Sequence, residues 1–257
     1  MHIIVCIKSV LLAAPEKQAA VRTADFSDLN PFDRPAIEMA LRLREEAGGK
    51  ITVLSMGPPV AADALRQALA LGADGAVLLC DRALAGADSL ATSTALAAAI
   101  AKLAPYDLVL FGTRTSDSDT GQVGPQTAVL LGLPLVTWVH ELERTEHGLL
   151  TERRADGFRE RFEVLLPGVM TIHPASFAPR DAALAGIEEA YETGNVRIWN
   201  LEELGCAPAE VGAAGSPTRV VSLTKKKKDR KCELLTGTGE ELAETLVQKL
   251  LGRGLIG

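Results

Sequence analysis

The densest chemistry in the chain lies in one stretch, Gly112-Thr113-Arg114-Thr115-Ser116-Asp117-Ser118-Asp119-Thr120-Gly121-Gln122-Val123-Gly124-Pro125-Gln126. It follows an apolar run and leads into a helical pattern. Small and hydroxylated residues in that place let backbone amides and hydroxyls close around an anion at a helix N-terminus, where the dipole also favours negative charge. Phosphate binding is the use this composition suggests. The simpler alternative is that Asp119 or Thr120 caps the helix. Asp117 and Asp119 sit awkwardly beside a phosphate and suit ribose hydroxyls or backbone amides better.

Three more segments have a similar placement. Asn30-Pro31-Phe32-Asp33 precedes a helix with Pro35 near its first turn, a good start signal. Asn30 or Asp33 caps that helix, or Asn30 presents its amide at the end of the first strand, where an adenine or ribose would lie. Ser55-Met56-Gly57-Pro58-Pro59 ends a strand in a rigid turn with a close-approach glycine. Gly86-Ala87-Asp88-Ser89-Leu90-Ala91-Thr92-Ser93 opens a further helix with hydroxyls at Ser89, Thr92 and Ser93. The sequence has no P-loop, no GxGxxG after its first strand, no GxSxG elbow and no HExxH. Cys6, Cys80, Cys206 and Cys232 form no CxxC pair and have no histidine at ligand spacing, so no metal site is expected. These features describe a nucleotide binder without hydrolytic machinery.

The elements that must position these segments alternate. Apolar runs at 2–8, 50–55, 76–80 and 106–111 read as strands, and helical periodicity covers 36–46, 61–71, 90–103 and 122–131. Strands apolar on both faces and separated by helices imply a parallel sheet with right-handed crossovers. Such sheets bind ligands at the carboxyl ends of their strands, where all four polar segments fall. Runs at 135–139, 149–154, 158–166 and 168–173 predict strands that extend or flank this sheet. Residues 180–191 suggest a short helix and 194–200 an extended piece. A helix over 240–251 carries Leu242, Leu246, Val247, Leu250 and Leu251 on one stripe. The expected organisation is an α/β nucleotide-binding domain over residues 1–218, followed by a basic linker and C-terminal helical arm over 219–257.

Composition narrows the function classes. With 257 residues, 47% hydrophobic and 23% charged, the chain matches neither a disordered nor a membrane protein. A net charge of −6 argues against a broad basic face for nucleic acid, apart from the local run Lys225 to Lys228 with Arg230 and Lys231. No transmembrane segment is expected, since the apolar stretches are too short to span a bilayer. The apolar start resembles a buried strand and not a leader, and the expected location is cytoplasmic.

Several of these segments together resemble the beta subunit of electron-transfer flavoproteins. They are Ile3-Ile4-Val5-Cys6-Ile7-Lys8, the Asn30 to Asp33 turn with its helix, Val53 to Pro59, Leu71-Gly72-Ala73-Asp74, and Asp119-Thr120-Gly121-Gln122-Val123-Gly124-Pro125. The resemblance implies an α/β fold of the adenine-nucleotide alpha-hydrolase-like, Rossmann-like type. It also implies a heterodimer with an alpha subunit, and bound AMP or the ADP part of a second FAD. Carried over motif by motif, the cofactor would touch Cys6, Asn30, Pro31, Phe32, Asp33 and Met56. It would also touch the loop Thr115, Ser116, Asp117, Ser118, Asp119, Thr120, Gly121, Gln122, Val123, Gly124, Pro125 and Gln126.

Asp81-Arg82 with Gly86 to Ser93, and Gly215-Ser216-Pro217-Thr218, look like the Fix-type, electron-bifurcating branch of that family. That likeness implies complete FAD accepting hydride from NADH, with Asp88 and Thr92 or Ser93 beside the flavin ring; a capped helix start is the simpler use of these residues. Lys8-Ser9-Val10-Leu11-Leu12 departs from that branch's usual Lys-Gln-Val-Pro-Asp, and Arg114 to Thr120 departs from its Gln-Ala-Ile-Asp-Gly-Asp-Thr. Leu184 matches the apolar anchor by which the family contacts acyl-CoA dehydrogenases. Here Glu188 and Glu189 follow it where lysines are usual. The implied partner is thus a flavin dehydrogenase or a quinone-linked oxidoreductase. A different class of function, a stand-alone adenine-nucleotide sensor of the universal-stress type, shares the same alternation and needs no alpha subunit.

Overall fold

The computed structural model describes residues 1–12, 26–222 and 232–256. Its described residues fall into two compact units, Met1–Arg219 and Val220–Gly257.

The first unit is built on strand β1 (His2–Cys6), whose five residues are all buried because they are apolar on both faces. A small antiparallel hairpin follows, β2 (Ser9–Leu11) with β3 (Ser27–Leu29). Helix α1 (Arg34–Ala47) leads to β4 (Lys50–Met56), and α2 (Ala62–Ala70) leads to β5 (Gly75–Leu79). Then come α3 (Ser89–Lys102), β6 (Leu108–Gly112) and α4 (Val123–Leu131). Strands β7 (Leu135–Arg144), β8 (Gly148–Ala155), β9 (Phe158–Leu165) and β10 (Gly168–Ile172) follow without helices between them. The unit closes with α5 (Leu184–Glu192), β11 (Val196–Trp199) and two single-turn helices, α6 (Leu201–Leu204) and α7 (Gly212–Gly215).

Nine strands form one sheet in the order β11-β5-β4-β1-β6-β10-β7-β8-β9. The pairings from β11 to β7 are parallel, and β7, β8 and β9 form an antiparallel meander. This is the α/β class that the alternation predicts. The strands after residue 135 do more than flank the sheet, because β10 returns to lie between β6 and β7. The extended piece near residue 196 is β11, which covers the open edge of β5.

Alternation along β1 divides the core in two. Ile3, Val5 and Ile7 join Ile37, Leu41 and Leu65 of α1 and α2 on one face. Ile4 and Cys6 join Ala95, Ala99 and Ile100 of α3 and Ala128 of α4 on the other. An ion-pair cluster around the buried Glu38, with partly exposed arginines, also fastens the segment before α5 onto α1. Arg180 Nε donates to Glu38 Oε2 at 2.8 Å, and Arg42 Nε donates to Glu38 Oε1 at 2.8 Å. Burial alone would raise the Glu38 carboxyl, but these guanidinium bonds hold it down to about 2.

The second unit contains α8 (Gly239–Gly252), opened by a capping box between Thr238 and Glu241. Leu246, Val247 and Leu251 on its apolar stripe are exposed. The basic run Lys225 to Lys231 lies outside the described residues.

Candidate functional site

The sheet has one place where a crevice must open. From β1 the chain steps outward through β4 to β5, then crosses to the other side of β1 to lay down β6. Helices α1 and α2 cover one face and α3 and α4 the other, so loops diverge at the carboxyl ends of β1 and β6, the usual ligand position in such sheets.

The turn Asn30 to Asp33 and the loop Gly112 to Gln126 meet at this point. Asn30 is fully buried; its Nδ2 donates to Arg114 O at 2.9 Å, and its Oδ1 accepts Ser116 N–H at 3.2 Å. The side chain therefore pins the loop. Asp33 Oδ2 accepts the Lys8 amide at 2.8 Å, and the carboxylate also takes the Gly112 amide. Asp33 occupies the N-cap position of α1 without a side-chain cap bond, since its carboxylate is committed to these two strand ends. Burial pushes it up to about 7 against those hydrogen bonds. Gly112 is required here: a Cβ would collide with Asp33 Oδ1 and the Phe32 carbonyl. Beneath them Cys6 is buried, and burial together with Asp33 raises its thiol well above the ordinary value.

Cations balance the acids of the loop. Lys8 Nζ lies 2.7 Å from Asp117 Oδ1 and 3.3 Å from Ser118 Oγ. Arg114 stacks 4.5 Å over the Phe32 ring and reaches Asp119 at 3.5 Å. Thr115 and Ser118 hydroxyls pair at 2.8 Å. Asp119, with φ of 53°, and Gly121, with φ of 63°, turn the loop into α4.

That helix begins without the cap the simpler reading requires. Gln122 is the N-cap residue and makes no side-chain cap bond, and no acid lies in the first turn. Neither Asp119 nor Thr120 caps it. Gly124 faces the sheet, where a Cβ would meet Thr171 Cγ2 at 3.0 Å and the Phe111 ring at 3.2 Å. It is a packing glycine, and the amides at the helix start are what the loop offers an anion. Thr113 Oγ1, just past β6, and Ser55 Oγ, near the end of β4, are buried with no hydrogen-bond partner among the described residues. Buried hydroxyls are normally paired. Uncapped amides, the unpaired Thr113 hydroxyl at the start of the loop and neutralised acids fit a nucleotide phosphate and its sugar.

The remaining candidates divide. Met56 and Val123 are partly buried against the same core face as Cys6, the face covered by α3 and α4. Asp88 is the cap of α3, accepting Ala91 N–H at 3.0 Å and Thr218 N–H at 3.0 Å, while its own amide donates to Ser216 Oγ at 2.8 Å. Those backbone bonds lower its carboxyl. Ser93 is fully buried, and its hydroxyl lies within bonding distance of Ser89 O, Val123 O and Gln126 Oε1. It ties α3 to α4. Thr92 is half-buried in the same turn. Pro31 is exposed and Pro125 and Gln126 are half-buried at the start of α4. Leu184, 81% exposed, opens α5, far in sequence from the loop.

Sequence reasoning missed two features. The Lys8–Asp117 pair spans more than a hundred residues and leaves no local signal. Trp138 and His140, midway along β7, and His173, just past the end of β10, form an aromatic cluster set by a left-handed backbone at Trp138 that residue types do not reveal.

A doubly wound α/β domain with a polar, uncapped loop at its switch point defines the class. Residues 19–204 match the family model described as Electron transfer flavoprotein domain. The chain belongs to the electron transfer flavoprotein family. It is 41% identical to the Electron transfer flavoprotein subunit beta of Thermoanaerobacterium thermosaccharolyticum over 100% of both chains. It is 39% identical to the Caffeyl-CoA reductase-Etf complex subunit CarD of Acetobacterium woodii, again over 100% of both. Protein FixA of Azorhizobium caulinodans is 41% identical over 86% of this chain and 83% of its own. This membership sets aside the universal-stress alternative. Among the described residues no helix is long and apolar enough to cross a membrane, and no cluster could hold a metal ion.

Proposed function

We propose that this chain is the beta-type subunit of a cytoplasmic heterodimeric electron transfer flavoprotein, holding an adenine nucleotide at the β1–β6 switch point and breaking no bond in a substrate itself. The observation that carries the proposal is the uncapped start of α4, presented by a loop that Asn30 pins and Lys8 and Arg114 neutralise. The nucleotide is FAD or AMP. Bound FAD would supply the redox chemistry, and the chain's part is to bind, orient and screen it.

Each residue then has a task. Asn30 fixes the loop over the crevice, Lys8 and Arg114 cancel Asp117 and Asp119 so that the loop does not repel phosphate, and Gly112 lets the turn approach the strand end. The likeness of Asp81-Arg82, Gly86 to Ser93 and Gly215 to Thr218 to the Fix-type branch supports FAD in this subunit, with NADH as electron donor, over AMP. An alpha subunit completes the heterodimer. The exposed Leu184, with Ile187 and Tyr191 one and two turns further along α5, offers a face to a flavin dehydrogenase or quinone-linked oxidoreductase.

Co-expression with the alpha-type partner tests the reading. A yellow complex of two different chains is the expected product. A colourless assembly of this chain alone would overturn it.

A further inference from the structure

Trp138 adopts φ of 61°, a left-handed backbone that a bulky residue rarely enters. Such outliers persist only where their surroundings impose them, and they gather at binding sites. Here the surroundings are specific. The ladder to β10 shifts register between Met170 and Ile172, and the ladder to β8 shifts between Val139 and Glu141. Thr171 Oγ1, which is buried, accepts the Trp138 amide at 3.0 Å, and His140 Nδ1 donates to the Trp138 carbonyl at 3.0 Å.

The result is a ledge of three rings. His140 and His173 stack at 3.9 Å with planes 16° apart, and Trp138 leans on His173 at 5.3 Å. The Ala175 amide donates to His173 Nδ1 at 3.1 Å, which places its ring proton on Nε2. Burial and the neighbouring His140 lower the His173 pKa, which favours the neutral form of that ring. Trp138 itself is 48% exposed. Thr171 connects this ledge to the loop, because its Cγ2 also lies against Gly124 in the first turn of α4. A strained, exposed indole has thus been set beside the carboxyl end of β10, two strands beyond β6, the strand that leads into the proposed phosphate loop.

We infer that Trp138, backed by His173 and His140, is a stacking platform for the isoalloxazine ring of FAD whose phosphates lie at the start of α4. The inference rests on the nucleotide reading above and deepens it, because AMP has no second ring to place there. A flat neutral indole suits a flat ring system by stacking, and the histidine pair keeps the indole from collapsing.

Titration of the full-length chain with FAD and, separately, with AMP tests this. Trp138→Ala should weaken FAD about tenfold, the scale of one lost aromatic stack, and leave AMP affinity unchanged. Trp138→Gly should do the same; it relieves the left-handed strain and so guards against a folding artefact. Trp138→Phe should keep most of the affinity. Bound flavin should fluoresce more strongly in the Ala and Gly variants, since stacked indole quenches it at contact. An unchanged ratio of FAD to AMP affinity overturns the inference alone, and an equal loss of both overturns it in favour of adenine on the ledge. A wild-type chain that takes neither ligand overturns the nucleotide reading and this inference with it.

Discussion

Asp33 concentrates the electrostatics of the switch point. Its carboxylate accepts amides from the ends of two strands while buried, and it is pushed up to about 7 from an ordinary 3.8. The folded chain therefore holds this proton more tightly than the unfolded chain does. The stability Asp33 contributes is fully present below about pH 4 and is lost as pH rises through about 7. Its slope can reach about 1.4 kcal/mol per pH unit. In urea unfolding of nucleotide-free protein, Asp33→Asn should flatten the decline between pH 4 and pH 7. Identical pH profiles for the two proteins would mean that the carboxyl titrates normally. The residue type and its place before α1 were legible in the sequence; that its carboxylate leaves the helix to hold Lys8 and Gly112 was not, because that depends on β6 arriving beside β1.

At the scale of elements, four βα alternations and the parallel sheet could be read from apolar runs, since each central strand is buried on both faces. The order of β10 and β11 could not, because period-two patterns specify burial and not neighbours. The loop before α4 was recognisable by composition, and the alternative reading of it, a cap at Asp119 or Thr120, is not what the helix start shows. Ser93 joins α3 to α4 and Gly124 packs against the sheet, tasks that depend on tertiary neighbours and leave no local signal in sequence. The open helix start makes a sharp prediction. Gln122→Asp puts a carboxylate where the phosphate is proposed to sit, so the complex should lose most of its nucleotide from this subunit. The helix dipole favours that charge, and thermal stability of the nucleotide-free chain should stay level or rise slightly. Retained nucleotide in this variant would place the phosphate elsewhere.

For the whole molecule, both core clusters lie within Met1–Arg219. Removal of Val220–Gly257 should leave that unit folded with an unchanged unfolding midpoint. If α8 clasps the alpha-type subunit, each stripe residue it buries contributes roughly 1.5 to 3 kcal/mol when fully covered. The truncated chain should then stay alone in size-exclusion chromatography at concentrations where the full chain pairs. Undiminished pairing would assign the helix to its own chain. The amphipathic stripe of α8 was visible in the sequence as helical periodicity over residues 240–251.

The central claim is that this subunit carries its own adenine nucleotide. Acid release and chromatography of nucleotides from the purified heterodimer, counted per copy of this chain, test it most directly. One adenine nucleotide per copy beyond the alpha subunit's own flavin is the predicted result, as AMP or, on the FixA-like reading, as a second FAD. A complex with no nucleotide beyond that single flavin would contradict the account.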